Sequence, residues 1–562
     1  MDIFTSLAVV VGVAAVGGII ARSLKQPAML GYIVAGLGLA AVGWGFDREA
    51  VGLLGQFGVT LLLFLVGLEL PISELKKSGQ VALIVGVGQI VVTAILGFGL
   101  SRLLGFSAAA AVYLGIALTF SSTVLVVNLL AGKRDLHSLY GRIVMGYLLV
   151  QDFVAIGILA ALSGLTLGGS WNWLNLGWIA IKGIAIVATA LYLAENIIPS
   201  LTRRLASSTE VLFVAALGWC LVIAALMASR WVGFTVEIGG FIAGLTLANA
   251  AQSWQITARI RPLRDFFMTL FFVGLGAKIT MADVGHLGWA AVAMSVFVLL
   301  GKPLVVMVVL ALLGYGRRVA FLASLAVGQV SEFSLIILAL ALRVGQVDSE
   351  VLTLVGMVAV VTMTASTYLI AHANRIYHRV GKYLVWISLT GRHHTDLAQA
   401  ANWQQHVILF GHNRTGSALK PALLALNKPL VVVDFDPQVV EQLNKQKLEG
   451  DQTILYGDMG DFDLYDEIAL KKASLVVSTV EDINDNLQLL EYLHSGNKKR
   501  SVVVTAADGE EAQRLYKAGA DYVLVPNSVG GEYLANLISS HSTKSNSIHK
   551  LGRKHWDYLR ES

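Results

Sequence analysis

A succession of long apolar segments fills the sequence from its beginning to about residue 375. Most of them have roughly 20 residues, the length that an α-helix needs to cross the hydrocarbon core of a bilayer. Only 14% of the 562 residues are charged and the mean hydropathy is +0.68, which ordinary soluble domains do not reach. The sequence therefore predicts a polytopic α-helical membrane protein.

Charged residues or clusters of glycine, proline and asparagine separate these segments. We predict 13 transmembrane helices from them. The first is interpreted as a membrane span and not as a signal peptide, because no basic residue precedes it. The segments lie at residues 4–22, 28–45, 51–69, 80–103, 107–130, 141–164, 176–198, 209–229, 235–250, 265–279, 287–313, 318–342 and 350–372.

Basic residues are concentrated in alternate loops between the segments. The positive-inside rule makes these loops cytoplasmic, which places the N-terminus outside and the C-terminal part in the cytosol. The loops also explain most of the formal net charge of +5, so nucleic-acid binding is not supported. These residues are Arg22, Lys25, Lys76, Lys77, Lys133, Arg134, Arg142, Arg203, Arg204, Arg259, Arg261, Arg264, Arg317 and Arg318.

The membrane part contains an internal repeat. GYIVAGLGLA at 31–40 agrees with GGFIAGLTLA at 239–248 in six of ten positions, and FLVGL at 64–68 matches FFVGL at 271–275. The offsets are 208 and 207 residues, and each pair lies seven predicted spans apart. Because seven is odd, the two copies run in opposite directions through the bilayer. This pattern is typical of inverted-repeat transporters, whose substrate sites lie near the midplane.

Two predicted spans, also 208 residues apart, carry polar residues near their centres. Such groups favour a short unwound stretch that lines a polar cavity, because exposed backbone is not tolerated in lipid. The alternative is that serine and threonine bond back to their own continuous helix. The residues are Thr119, Ser121, Ser122 and Thr123 in span 107–130, and Gly328, Gln329, Ser331 and Glu332 in span 318–342.

Three ionisable residues lie at membrane depth: Asp152, Lys302 and Glu332. A charge at the bilayer centre costs about 2.5–3.5 kcal/mol on insertion scales, so each needs a partner or a function. A carboxylate there can hold either a proton or a desolvated monovalent cation, and competition between the two is the basis of antiport. Alternatively, Asp152 and Lys302 form an ion pair that only joins helices. Glu332 either contacts the ion or braces the break in its span.

The sequence SSTVLV at 121–126, LLVQDFVAI at 148–156, Lys302 and GQVSEFSLI at 328–336 resemble motifs of the monovalent cation:proton antiporter-2 family, most closely its Kef-type potassium/proton antiporters. The resemblance implies a Na+/H+ antiporter-like fold with inverted repeats and two crossed broken helices. It also implies elevator-like alternating access, a homodimer in membrane lipid, and a bacterial inner membrane location.

The same resemblance implies roles for individual residues. Asp152 is the ion-carrying carboxylate, and Gln151 stands where strongly electrogenic relatives have a second aspartate. A single carboxylate favours electroneutral, one-for-one exchange, and the resemblance favours K+ over Na+. Residues 119–122 and Gln329 flank the crossing of the broken helices. Kef-type proteins typically have an acidic loop linked to glutathione control, whereas this chain has the basic TARIRPLRD at 257–265, so glutathione control is not expected.

From His406 onward the sequence alternates short apolar strands with helical stretches. This alternation predicts a parallel sheet covered by helices. It resembles the regulator-of-K+-conductance (RCK) domain, which has a TrkA-N-like Rossmann fold. We predict a transmembrane domain at 1–375, a linker at 376–405, the RCK domain at 406–540 and a polar basic tail at 541–562.

The dinucleotide fingerprint G-x-G-x-x-G is altered in this domain: its three positions hold Gly411, Asn413 and Gly416. The missing middle glycine puts the phosphate cradle in doubt, so we expect a mononucleotide such as AMP ahead of NAD(H), with a purely structural domain as the alternative. Asp434 lies 23 residues after Gly411, in place for a ribose. The other candidates for nucleotide contact are His412, Arg414, Asp436 and Asp458.

These features together predict a K+/H+ antiporter that a nucleotide regulates. The alternatives are Na+/H+ exchange and an RCK-gated ion channel, although no T-V-G-Y-G filter is present. No hydrolase or redox constellation stands out, so we do not expect an enzyme.

Overall fold

The computed structural model describes residues 3–43, 47–69, 79–133, 135–136, 138–165, 173–198, 200, 202, 208–229, 232–279, 281–384, 404–412, 414–445, 451–460, 462–494, 500–541, 552–553 and 556. Most of the predicted linker, most of the tail and Asn413 lie outside these residues. The chain divides into two compact units, 1–387 and 388–562, which are described separately below.

The first unit is entirely helical in its described part. Its helices are α1 (Ile3–Ser23), α2 (Ala28–Val42), α3 (Arg48–Leu68), α4 (Gly79–Leu103), α5 (Ala108–Ala117), α6 (Thr123–Gly132), α7 (Leu139–Leu165), α8 (Trp173–Asn196), α9 (Thr209–Met227), α10 (Val236–Leu247), α11 (Ser253–Gly276), α12 (Met281–Val296), α13 (Lys302–Leu312), α14 (Arg317–Leu325), α15 (Glu332–Arg343), α16 (Ser349–Ala371) and α17 (Ala373–Val380). A π-helical turn, Phe297–Gly301, joins α12 to α13.

Every predicted apolar segment falls on one or two of these helices. Among the described residues, seven helices are long and apolar enough to cross a membrane on length and composition alone, and four shorter helices are also apolar. Two predicted spans, 107–130 and 318–342, are each divided into two helices, α5 with α6 and α14 with α15. The count of 13 transmembrane helices stays a prediction.

Two groups of helices can be distinguished by their packing. In the first group, α3 packs against α10 and α11, α2 against α1 and α11, and α9 against α10. In the second group, α4 packs against α5, α7 and α13, while α15 packs against α7 and α16, and α12 against α16. Asp152, Lys302 and Glu332 all belong to the second group.

The repeated sequence segments lie where the helices of the first group approach most closely. A Cβ added to Gly36 of α2 would overlap the main-chain oxygen of Val273 in α11. A Cβ added to Gly244 of α10 would likewise overlap the oxygen of Phe64 in α3. Glycine therefore recurs at an offset of 208 because both helix pairs cross with their backbones in contact.

The second unit contains a six-stranded sheet with strand order β3-β2-β1-β4-β5-β6, in which all pairs are parallel. The strands are β1 (Val407–Phe410), β2 (Leu430–Asp434), β3 (Gln452–Tyr456), β4 (Leu475–Ser478), β5 (Ser501–Thr505) and β6 (Tyr522–Leu524). The helices are α18 (Arg414–Leu424), α19 (Pro437–Lys445), α20 (Phe462–Glu467), α21 (Ile483–His494), α22 (Gly509–Lys517) and α23 (Pro526–His541). A separate apolar cluster lies on each face of the sheet, as the predicted Rossmann-like fold requires.

Candidate functional site

The helix breaks that the polar residues predicted are present in the structure. Helix α5 ends at Ala117 and α6 begins at Thr123, with Ser122 accepting a hydrogen bond from the Leu125 amide at 3.3 Å. Helix α14 ends at Leu325 and α15 begins at Glu332. Ser331 caps α15 in the same way and accepts from the Phe333 amide at 3.1 Å. The hydroxyls therefore start new helices, as residues at N-cap positions do.

The two breaks contact each other directly. Ser121 Oγ donates to the Val327 carbonyl at 3.2 Å, and Ser334 Oγ donates to the Ala117 carbonyl at 2.6 Å. The alternative was that the hydroxyls bond back to a continuous helix. Thr119 forms such a bond, to the Ile116 carbonyl at 2.7 Å, but the helix is interrupted after it. Main-chain carbonyls that lack a partner within one broken helix therefore accept hydrogen bonds from serine hydroxyls of the other.

Lys302 lies between the breaks and is fully buried. Its ammonium group donates to the Phe120 carbonyl at 2.8 Å and to the Gln329 carbonyl at 2.9 Å. These carbonyls follow the C-terminal ends of α5 and α14, where a positive charge is favoured by the helix dipoles. Neither bond goes to Asp152, so the alternative of an Asp152–Lys302 ion pair is wrong. The ammonium group instead donates to main-chain carbonyls of the two helix breaks.

Asp152 instead has a hydroxyl partner. Thr123 Oγ1 donates to Asp152 Oδ2 at 3.0 Å from the first turn of α6. Among the described residues, no lysine or arginine forms a hydrogen bond or ion pair with this carboxylate. A carboxylate with one neutral donor keeps most of its acceptor capacity for a cation or a proton.

Gln151 is part of a buried amide chain that the sequence did not reveal. Its Oε1 accepts from the Ser121 amide at 3.0 Å, and its Nε2 donates to Gln89 Oε1. Gln89 Nε2 in turn donates to the Thr119 carbonyl at 3.1 Å and to Thr93 Oγ1 at 3.1 Å. Gln151 therefore holds the main chain of the first break, and both the oxygen and the nitrogen of its side-chain amide have protein partners.

Gln329 has a similar structural environment in the second break. Its Nε2 donates to the Ala326 carbonyl at 3.0 Å, and its Oε1 accepts from Ser366 of α16. The amide of Val330 donates to Thr362 of the same helix at 3.2 Å. Neither Ser366 nor Thr362 stood out in the sequence, because isolated hydroxyls are common in apolar helices.

A cavity of about 200 Å³ connects Asp152 with Glu332. Glu332 is only 6% exposed, and Ser122 and Ser331 hydrogen-bond its side chain. Of the predicted ion-site residues, only Asp152 and Glu332 line the cavity, whereas Thr119, Ser121, Gln151, Lys302 and Gln329 are buried in the supporting network. The other lining residues are Leu62, Leu65, Val66, Glu69, Thr123, Val124, Leu149, Phe153, Ile156, Arg264 and Phe333.

The second unit has a turn after β1 whose geometry depends on glycine. Gly411 has φ +83°, and a Cβ on Gly416 would overlap the Gly411 carbonyl, so both positions require glycine. Helix α18 begins at Arg414, which places main-chain amides near the turn. Asn413 lies outside the described residues.

The predicted acids Asp434, Asp436 and Asp458 lie at the carboxyl ends of β2 and β3. Asp434, only 3% exposed, accepts from the His412 amide at 2.7 Å and from the Asp436 amide at 2.9 Å. Asp458 accepts from the Gly460 amide at 2.9 Å. Asp434 therefore holds the glycine turn in place, a role that the sequence spacing did not predict. Burial, with the nearby Lys420 charge, lowers the pKa of His412, so its imidazole is neutral at pH 7.

Comparison with known protein families identifies both units of the chain. The transmembrane domain of the sodium/hydrogen exchangers matches residues 11–372. The chain belongs to the sodium/hydrogen exchanger family. The TrkA-N domain matches residues 407–526, which include all six strands of the sheet. The protein is thus a multi-pass, Kef-type member of the monovalent cation:proton antiporter-2 group with a C-terminal TrkA-N domain.

Relatives of this exchanger share both domains. A putative K(+) efflux antiporter KefB from Alkalimonas amylolytica is 25% identical over 518 residues, covering 91% of this chain and 77% of the relative. A putative cation/proton antiporter YbaL from Escherichia coli is 25% identical over 525 residues, covering 90% and 92%. The structure of the sodium proton antiporter MjNhaP1 from Methanocaldococcus jannaschii, 14% identical, matches with a TM-score of 0.53 over 67% of this chain and 99% of that one, which shows the shared fold.

Proposed function

We propose that this exchanger is a secondary active K+/H+ antiporter in which K+ and a proton compete for Asp152. The observation that carries the proposal is the position of Asp152: its carboxylate lines a cavity, accepts one hydroxyl hydrogen bond, and lies beside two helix breaks that contact each other. Such a group binds a monovalent cation when charged and releases it when protonated. The name of the Alkalimonas amylolytica relative supports K+ as the cation.

We propose one-for-one, electroneutral exchange because Asp152 is the single carboxylate beside the first helix break, where strongly electrogenic relatives have two. The neighbouring Gln151 carries no charge, and both ends of its amide are occupied by Ser121 and Gln89. One proton then replaces one K+ without net charge movement. Na+/H+ exchange is the alternative, and it differs only in the cation that Asp152 accepts.

Alternating access by an elevator-like movement of the second helix group against the first would expose Asp152 to each side in turn. The glycine contacts at an offset of 208 residues support the inverted repeats that such a movement uses. The proposed assembly is a homodimer with 13 spans per chain in a bacterial inner membrane. Its N-terminus lies outside and its TrkA-N domain lies in the cytoplasm.

The TrkA-N domain is proposed to bind a regulatory nucleotide, AMP ahead of NAD(H), at the turn formed by Gly411 and Gly416. Two observations support a phosphate site at this turn: a side chain at either glycine would clash, and the N-terminus of α18 lies next to the turn. Asp434 and Asp436 would face the ribose, and His412 would add no positive charge for the phosphate, since its imidazole is neutral at pH 7.

The transport proposal is tested with the purified protein in vesicles that hold a pH gradient. Additions of K+, Na+ and Li+ are compared for wild type, Asp152→Asn and the control Asp348→Asn, an exposed aspartate outside the cavity. We expect K+ to dissipate the gradient in wild type and control but not in Asp152→Asn. Unchanged proton movement in Asp152→Asn would contradict the role of this residue, and a response to Na+ alone would overturn the choice of cation.

A further inference from the structure

The cavity beside Asp152 contains more charge than a single monovalent cation needs. Its lining includes the carboxylates of Asp152, Glu332 and Glu69 and the guanidinium of Arg264. Glu69 is already paired with Arg261 at 2.9 Å, and both side chains are about half exposed. The charged groups of the lining that are not exposed are therefore Asp152, Glu332 and Arg264.

Arg264 is held at the cavity wall from a helix of the first group. It belongs to α11, and its side chain is only 18% exposed. Both of its hydrogen bonds, at 2.9 and 2.7 Å, go to Asp265 Oδ1, whose side chain is 61% exposed. Water screens an exposed partner of this kind strongly, so Asp265 orients the guanidinium without cancelling its field inside the cavity.

The field of Arg264 acts on Glu332. Both residues line the same cavity, where the guanidinium attracts the Glu332 carboxylate and Asp152, in the same lining, repels it. Hydroxyl groups of Ser122 and Ser331 also contact Glu332, but they are neutral. Arg264 is therefore the positive charge that opposes the Glu332 carboxylate in the described part of the cavity.

We propose that Arg264 sets the charge capacity of the ion site: it balances Glu332 and leaves Asp152 as the one uncompensated carboxylate, so the cavity takes one monovalent cation. This proposal rests on the K+/H+ exchange proposed above. Arg264 is a specificity-determining residue in this view, because it excludes a second monovalent cation or a divalent cation from a site with two carboxylates.

The test compares K+ titrations of proton movement in vesicles for wild type, Arg264→Gln, Arg264→Lys and the double variant Arg264→Gln/Glu332→Gln. Ba2+, which resembles K+ in size, is the divalent probe. Arg264→Gln is expected to lower the K+ concentration for half-maximal rate by about five- to tenfold and to make Ba2+ a competitive inhibitor. Arg264→Lys and the double variant should return both values close to wild type.

The variant Glu332→Gln alone provides an independent arm if Arg264→Gln does not fold. It leaves the guanidinium opposing Asp152, so the half-maximal K+ concentration should rise by a similar factor. An unchanged K+ dependence in Glu332→Gln, or an Arg264→Gln variant that changes only the maximal rate, would overturn the proposal.

The same proteins are also followed by K+-dependent thermal stabilisation in detergent, which needs no transport. If wild type moves no protons in response to any cation, the proposed exchange fails. If wild type exchanges K+ for protons but Arg264→Gln binds K+ and Ba2+ as wild type does, only the role of Arg264 fails. Arg259→Gln is the matched control, because Arg259 is an exposed arginine of the same helix and lies outside the cavity lining.

Discussion

The ammonium group of Lys302 lies 2.8 Å from the carbonyl oxygen of Phe120 and donates a hydrogen bond to it. A second bond to the Gln329 carbonyl places one side chain across both helix breaks. A buried carbonyl without a hydrogen-bond donor destabilises the folded protein, and a charged donor stabilises such a carbonyl more strongly than a neutral one. Lys302 therefore has a structural role: its side chain joins the two helix breaks.

We predict that Lys302→Met destabilises the membrane domain by about 3–5 kcal/mol, because two buried carbonyls lose a charged donor. The melting temperature of the protein in detergent should fall, and cation-driven proton movement should be lost with it. Lys25→Met, which changes an exposed lysine, is the control. A Lys302→Met protein that melts like wild type would contradict the assignment of this lysine to the backbone carbonyls.

A second prediction concerns the amide chain behind Asp152. Replacing Gln89 by leucine removes the partners of Gln151 Nε2 and of the Thr119 carbonyl, which should cost about 1–3 kcal/mol. The same change at Gln151 also frees the Ser121 amide. Because the two side chains bond one another, the double variant should lose less stability than the sum of the single variants. Additive losses, measured by thermal unfolding, would show that the two amides act independently.

A third prediction concerns an ion pair between the two helix groups. Glu237 of α10, with a side chain 4% exposed, accepts from Arg343 at the end of α15 at 3.3 Å and from Gln56 of α3 at 3.1 Å. Arg343→Gln leaves a buried carboxylate with a weaker partner and should destabilise the protein by about 1–3 kcal/mol. Adding Glu237→Gln should recover most of that loss, because the buried charge is then removed. No recovery in melting temperature would show that the charge of Glu237 is not the cause.

The sequence predicted the positions of the helix breaks because polar residues cluster at the centres of two spans that lie 208 residues apart. It did not predict the partner of Lys302, since apolar periodicity locates a residue along the chain but not the atom that its side chain reaches. Gln89 and Glu237 were missed for a related reason. A single amide in an apolar run, or an acid at the start of one, gains its meaning only from residues that are far away in sequence.

The fold of the second unit was more predictable than the cavity beside Asp152. Short apolar strands that alternate with helices allow few arrangements other than a parallel sheet, and the order found here is that of a Rossmann-like fold. The hydrogen-bond partners of the Asp434 carboxylate were less predictable. Spacing placed it near a ribose, whereas the structure shows both of its oxygens holding main-chain amides of the neighbouring turns.

A fourth prediction follows for nucleotide binding. AMP and, more weakly, NAD should raise the melting temperature of the full-length protein, and Asp434→Ala should reduce that shift because the Gly411 turn loses its support. Asp451→Ala, at an exposed aspartate on the same unit, should leave the shift unchanged. No stabilisation of wild type by either nucleotide would favour a purely structural TrkA-N domain.

The last prediction uses the lowered pKa of His412. Burial, together with the charge of Lys420, disfavours the imidazolium in the folded state, so the unfolded chain binds more protons near and below the ordinary histidine pKa of about 6.5. The stability contributed by neutral His412 is therefore present above that pH and is lost as the pH falls through it. The melting temperature of the second unit should drop between about pH 7.5 and 5.5, and His412→Asn should make the drop smaller. An equal drop in the variant would assign the pH dependence to other groups.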